Sequence, residues 1–169
     1  MVPEPEPDAG GFWTALRNLG GADFAAAADY AGIDMYPDVF GPPSPVDRLP
    51  AAVGWALQTY RERMLPLAGI TAATPVRVCE NGWPTGPDRP EQAQARVLET
   101  VVRAVSGLRA ELNVTHWELF ALRDADTSGD TLFHHFGVLR DDYSAKPAFG
   151  VLRDLIAELA AAPPVPGSS

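Results

Sequence analysis

Glu80 closes the run Pro75-Val76-Arg77-Val78-Cys79-Glu80, and Asn81-Gly82-Trp83-Pro84 follows at once. The valines read as a short buried strand, and the glycine and proline beyond them as a turn. The pattern delivers a carboxylate to the C-terminal end of a strand, beside an indole. Burial disfavours the charged form of a carboxylate, so an acid in that setting marks a candidate enzyme site. A negative charge there suits a transition state that gathers positive charge. Two further apolar runs end in groups able to do chemistry. Asp34 and Tyr36 close one, and Trp117 and Glu118 close the other, with Asp124 nearby.

Other chemistries find less support. Asp124, Asp126 and Gly129 stand at the first, third and sixth positions of a calcium-like loop, but the twelfth is His135 where a bidentate glutamate belongs. That loop reads better as a polar cover over the site mouth, where Arg123, Asp124 or Asp126 would touch a ligand. His134 and His135 lack a third metal ligand at a convincing spacing. Cys79 is the sole cysteine, so it forms no internal disulfide, and it reads as a buried inert thiol. There is no Gly-x-Ser-x-Gly elbow, no Gly-x-Gly-x-x-Gly run and no Walker-type loop, so no cofactor is implied. The net charge of −9 argues against nucleic acid as a partner. No stretch is long and apolar enough for a membrane. The acidic, proline-rich start lacks the features of a signal peptide, which as it stands implies a cytoplasmic chain.

The elements that must position these groups alternate between strand and helix. The first strand spans residues 29–36, with a loop from Pro37 to Pro45 and a helix from Asp47 to Leu67. The second strand spans Val76–Glu80. Its helix begins near Asp88, with Glu91 at capping-box spacing. Val97, Leu98, Val101, Val105, Leu108 and Leu112 recur at helical steps. The third strand covers Val114–Leu122. A long loop leads to a last helix capped by Ser144, with Phe149, Leu152, Leu155, Ile156 and Leu159 on its buried face. Phe12–Leu19 reads as one further helix. Residues 1–11 are expected to form a disordered arm, 12–160 the domain and 161–169 a flexible tail. Such alternation predicts parallel strands with right-handed crossovers. Of the two architectures that fit, an open doubly wound sheet and a (β/α)8 barrel, the polar strand ends favour the barrel. Period-two alternation puts Val76, Val78 and Glu80 on one face, filling a barrel interior up to its mouth, and Arg77 on the other, against helices.

Four segments together resemble the C-terminal part of the clan A retaining glycoside hydrolases, a (β/α)8 group that includes β-glucosidases and cellulases. They are Asp29 to Tyr36, Val78 to Thr85, Thr115 to Phe120, and Phe136-Gly137-Val138-Leu139 with Lys146-Pro147-Ala148-Phe149. The match covers roughly residues 12 to 160 and corresponds to strands six to eight. The resemblance implies a catalytic pair, with Glu80 as nucleophile and Tyr36 holding it by a hydrogen bond. It implies Trp117 under the sugar, Trp83 at a neighbouring subsite, and Asp34 and Asn81 as further substrate-binding residues. The substrate would be a β-linked carbohydrate.

Retaining chemistry needs a second carboxylic acid about 5–5.5 Å from the first. In this group that acid follows an asparagine on the fourth strand, and no Asn-Glu pair occurs here. A full barrel needs about 250 residues, against 169 here. The sequence therefore implies a partial barrel of about three βα units, with a second chain as a candidate to complete it. The rival readings are an inactive carbohydrate-binding remnant, a truncated gene product and a half-barrel dimer.

Overall fold

The computed structural model describes residues 9–41 and 44–161. Most of the expected arm and tail lies outside these residues, and Ala9 to Gly11 already belong to the first helix. In chain order the elements are α1 (Ala9–Ala27), β1 (Ala31–Asp34), α2 (Leu49–Thr59), α3 (Leu65–Leu67), β2 (Val76–Asn81), α4 (Glu91–Leu108), β3 (Val114–Leu119) and α5 (Pro147–Ala161). A π-helical turn, Tyr60–Met64, joins α2 to α3, so the expected helix over 47–67 is nearly continuous. It places Arg61 inside the protein, where the guanidinium donates to the carbonyls of Leu112 (3.0 Å), Thr71 (3.2 Å) and Thr74 (2.9 Å). Among the described residues no helix is long and apolar enough to cross a membrane.

The three strands are parallel and lie in the order β1-β2-β3. A doubly wound sheet reverses its order and carries helices on both faces. Here the order is sequential, and α2 and α4 pack on one side. Val76, Val78 and Val114 share a core cluster with Leu49, Val53 and Leu57 of α2 and Val97, Val101 and Val105 of α4. A second cluster joins Leu98 and Val102 of α4 to Ala148 and Leu155 of α5. This is an incomplete (β/α)8 architecture, three parallel strands with their helices on the outside.

The direction of the side chains corrects the sequence reading. Val76 and Val78 face the helices, not the barrel interior, and Arg77 faces away from them. Arg77 pairs in register with Gly32 and His116. Its guanidinium lies 4.1 Å from the centre of the Tyr30 ring, a cation over a π face. Three other expectations change. Asp88 does not cap α4, because it sits in a tight turn closed by Gly86 and Arg89 and the helix starts only after the extended Pro90. Ser144 does not cap α5, which begins at Pro147, a residue suited to a first turn because it has no amide to satisfy. Ile156 is 60% exposed. Leu152, Leu155 and Leu159 form the buried stripe at helical spacing, and Ile156 falls one step around from it.

Candidate active site

Strict alternation along β2 would put Glu80 on the helix side with Val78. A β-bulge prevents this. Ile33 and Asp34 are consecutive on β1, yet they pair with Val78 and Glu80, so β2 holds one extra residue there. A bulge resets the phase of a strand and re-aims the side chain that follows. Asp34 is exposed on the face away from the helices, and Glu80 is its partner in register. The carboxylate is thus half-buried on the open face, at the C-terminal end of its strand.

Backbone bonds fix the position. The Met35 amide donates to the Glu80 carbonyl at 2.8 Å, and the Phe120 amide to the Asn81 carbonyl at 2.8 Å. Asn81 is 4% exposed, and its side-chain amide donates to the Met35 carbonyl at 2.6 Å. It serves as a strut between β1 and β2 and points into the protein. Gly82 is required by space. A Cβ at this position would come within 1.6 Å of the Phe120 carbonyl oxygen.

Tyr36 donates its phenol to Glu80 Oε2 at 2.9 Å. Its pKa lies well above the ordinary phenol value, through burial first, then the bond to Glu80, then the charges of Glu80 and Asp34. The phenol therefore stays protonated and holds one carboxylate oxygen in place.

The structure brings Glu80, Tyr36 and Asp34 together. The two tryptophans lie elsewhere. Trp83 is 8% exposed. Its indole donates to Asp38 at 3.3 Å and carries the Arg89 guanidinium 4.9 Å above its ring. Trp117 pairs with Val78, so it falls on the helix side and packs against both core clusters. Trp117, expected beneath a ligand, stands in that register with its ring against the helices. The ring beside Tyr36 from β3's end is Phe120, at 6.5 Å between centres.

Sequence reasoning also missed the aromatic group around that ring. Phe40 lies 5.5 Å from Tyr36, Phe136 lies 6.0 Å from it, and Phe133 lies 6.2 Å from both Phe40 and Phe136. Four phenylalanines scattered over two loops and a strand end carry no periodic signal. Only the fold collects them.

The loop from Arg123 to Ser144 is pinned from within. Asp124 is 1% exposed and Lys146 2%. The Lys146 ammonium lies 2.8 Å from Asp124 and donates to Thr85 at 3.1 Å. Asp124 also accepts from the Gly137 amide at 2.8 Å and the Thr127 hydroxyl at 3.3 Å. The first acid of the calcium-like spacing is thus occupied by an internal cation, and it is buried. His135 is 2.7 Å from the Gly129 carbonyl, and the His134 ring lies against Gly129, so both histidines serve the loop's own shape.

With this geometry in view, solved structures give a likeness. A β-glucuronidase from Faecalibacterium prausnitzii matches with a TM-score of 0.60 at 16% identity over 77% of this chain. A β-glucuronidase from Bifidobacterium dentium, complexed with coumarin-3-O-glucuronide, matches at 0.59 and 18% over 80%. A GH2 β-galacturonidase from Eisenbergiella tayi, bound to galacturonate, matches at 0.61 and 14% over 80%. The likeness is one of fold, a partial (β/α)8 architecture. It spans 22%, 21% and 25% of those three chains respectively. No protein-family model matches the sequence, and no curated protein does.

Proposed function

We propose that this chain is the nucleophile-bearing part of a retaining β-glycosidase. The observation that carries the reading is the Tyr36–Glu80 hydrogen bond of 2.9 Å at the open C-terminal end of the sheet. A carboxylate fixed by one oxygen leaves the other to attack. In the first step a Glu80 oxygen forms an ester bond to the anomeric carbon as the glycosidic C–O bond breaks. The leaving oxygen takes a proton from a second carboxylic acid. In the second step water attacks the same carbon, gives its proton to that second group and releases Glu80. The second acid belongs to a barrel segment outside these 169 residues, on another stretch of polypeptide or another chain that continues the sheet. In this reading Asp34 accepts a hydrogen bond from a sugar hydroxyl, which its register with Glu80 supports.

A panel of 2-deoxy-2-fluoro β-glycosides with good leaving groups tests this. Such reagents need no acid to leave, so they report the nucleophile half alone. Intact mass and peptide mapping should find one sugar on Glu80 and none on Glu80→Gln. A folded sample that stays unlabelled across the panel would sink the catalytic reading and leave a carbohydrate-binding remnant.

A further inference from the structure

We infer that Arg77 is the receptor for a carboxylate, presented by a polypeptide segment that lies against the open face of the sheet. The polypeptide source rests on the function proposed above, which needs a further stretch of protein to supply the second acid. The carboxylate chemistry stands on its own observations.

The first observation is a cation without an anion. A guanidinium carries five N–H donors in a planar fork. Among the described residues the Arg77 fork makes no hydrogen bond and no ion pair, and its Nε is buried without a partner. Its contact is with the Tyr30 ring, 4.1 Å away. A π face attracts the charge but offers no lone pair to the donors. Buried donors without an acceptor are rare because they are costly. Other arginines of this chain show the contrast. Arg61 spends its donors on three backbone carbonyls. Arg103 grips both oxygens of Glu158, at 2.7 and 2.9 Å.

The second observation is place. β2 is the central strand, and Arg77 stands on its open face between Gly32 of β1 and His116 of β3. Neither neighbour in register carries a carboxylate. Gly32 leaves the ground beside the guanidinium bare, and a Cβ there would come within 2.9 Å of Cys79 Sγ. The acids of this face stand further along the strands. Asp34 pairs with Glu80, and Glu118 follows His116 by one turn of the pleat. Glu80 is already engaged by the Tyr36 phenol. The face thus holds a half-buried cation at mid-strand and carboxylates towards its C-terminal end.

The chemistry of this arrangement selects the ligand. The Nε and Nη donors of a guanidinium match the two oxygens of a carboxylate, a bidentate and charge-assisted pair. An amide or a hydroxyl offers one oxygen and no charge. The row of acids decides the register. A segment whose acid meets Arg77 gains a partner, whereas one whose acid slides towards Asp34, Glu80 and Glu118 meets like charge. Charge complementarity therefore fixes both the kind of residue the segment presents and its level on the sheet.

Two blocked pentapeptides test the inference on the full chain, acetyl-Thr-Val-Glu-Val-Thr-amide and its counterpart with Gln in place of Glu. The readout is the Arg77 Nε–H signal in nitrogen-15 NMR at fixed ionic strength, assigned by its loss in Arg77→Met. The glutamate peptide should shift that signal to saturation. The glutamine peptide should bind about 10–100-fold more weakly, the worth of a hydrogen bond to a charged group. In Arg77→Met the two peptides should bind alike. Acetate, a carboxylate without a backbone, should bind more weakly than the glutamate peptide. No saturable shift with the glutamate peptide, or equal binding of the two peptides to wild type, overturns the receptor. Acetate binding as tightly as the peptide overturns the polypeptide source. The peptide comparison is made on the wild-type chain, so it stands even where Arg77→Met fails to fold. The fluoroglycoside label on Glu80 does not involve Arg77, so either idea can fail alone.

Discussion

The two faces of the sheet are finished with different chemistry. On the helix side Val76, Val78 and Val114 are at most 6% exposed and join one cluster with α2 and α4. On the other side Tyr30, Gly32, Arg77, His116 and Glu118 share a face that is half-buried or exposed, and Arg77 Nε has no hydrogen-bond partner among the described residues. Stability resides on the first face, and the groups able to do chemistry sit on the second. Packing tolerates no voids and so fixes the helices. A polar face keeps its side chains available, at the expense of needing a partner for each.

Four experiments press on that contrast. The largest effect should come from Lys146→Met, which leaves Asp124 charged and unpaired inside the protein. Breaking a buried pair from one side costs about 3–5 kcal/mol, and urea unfolding should show it, with the Glu80 label lost as the loop loosens. A change in stability under about 1 kcal/mol would mean that the pin is dispensable. Next comes a pair of truncations. Leu57→Ala on the helix side, where the side chain is 1% exposed, should cost about 2–5 kcal/mol. His116→Ala on the open side should stay within about 0.5 kcal/mol. Equal losses would erase the distinction between the faces.

Third is Tyr36→Phe, which keeps the ring and removes the bond to Glu80. A hydrogen bond to a charged group is worth about 1.5–3 kcal/mol, so labelling of Glu80 should slow by about 10–100-fold with little change in unfolding. An unchanged labelling rate would show that Glu80 is aimed by its backbone alone. The smallest effect is one of pH. Tyr60 is buried and donates to the Gly32 carbonyl at 2.7 Å. Burial, then the nearby Cys79, push its pKa from 10.0 up to about 12. The folded state therefore holds a proton that the unfolded chain releases first. The contribution is full below pH 10 and declines as pH rises through about 12. Unfolding followed by circular dichroism between pH 9 and 12 should show a shallower decline in Tyr60→Phe than in wild type.

Much of the fold was legible because its signals are local and repeated. The valines and leucines of α4 recur at steps of three and four, and both faces of that pattern are paid in burial, so the helix was plain from Val97 to Leu108. The strand at Val76 was equally plain. The meeting of Tyr36 with Glu80 came from the resemblance to glycoside hydrolases, since no spacing rule links residues 44 apart. The aromatic group was hidden for the same reason. Phe40, Phe120, Phe133 and Phe136 belong to separate segments, and nothing in their neighbourhoods announces a shared surface. The side on which Trp117 stands was not legible, because it depends on the register with β2. Arg77, expected against the helices, lies on the other face over the Tyr30 ring, a contact between separate segments.

By itself, the sequence determined which segments become helices and strands, their parallel order and the presence of an acid at the end of β2. These follow from hydrophobic period, turn residues and chain direction, all of which are read within a few residues. Only the tertiary structure decided which way that acid points. One extra residue in β2 breaks a period of two, and pairing with β1 is what reveals it. A bulge exists only between two strands, so it leaves no mark in the sequence of either one alone.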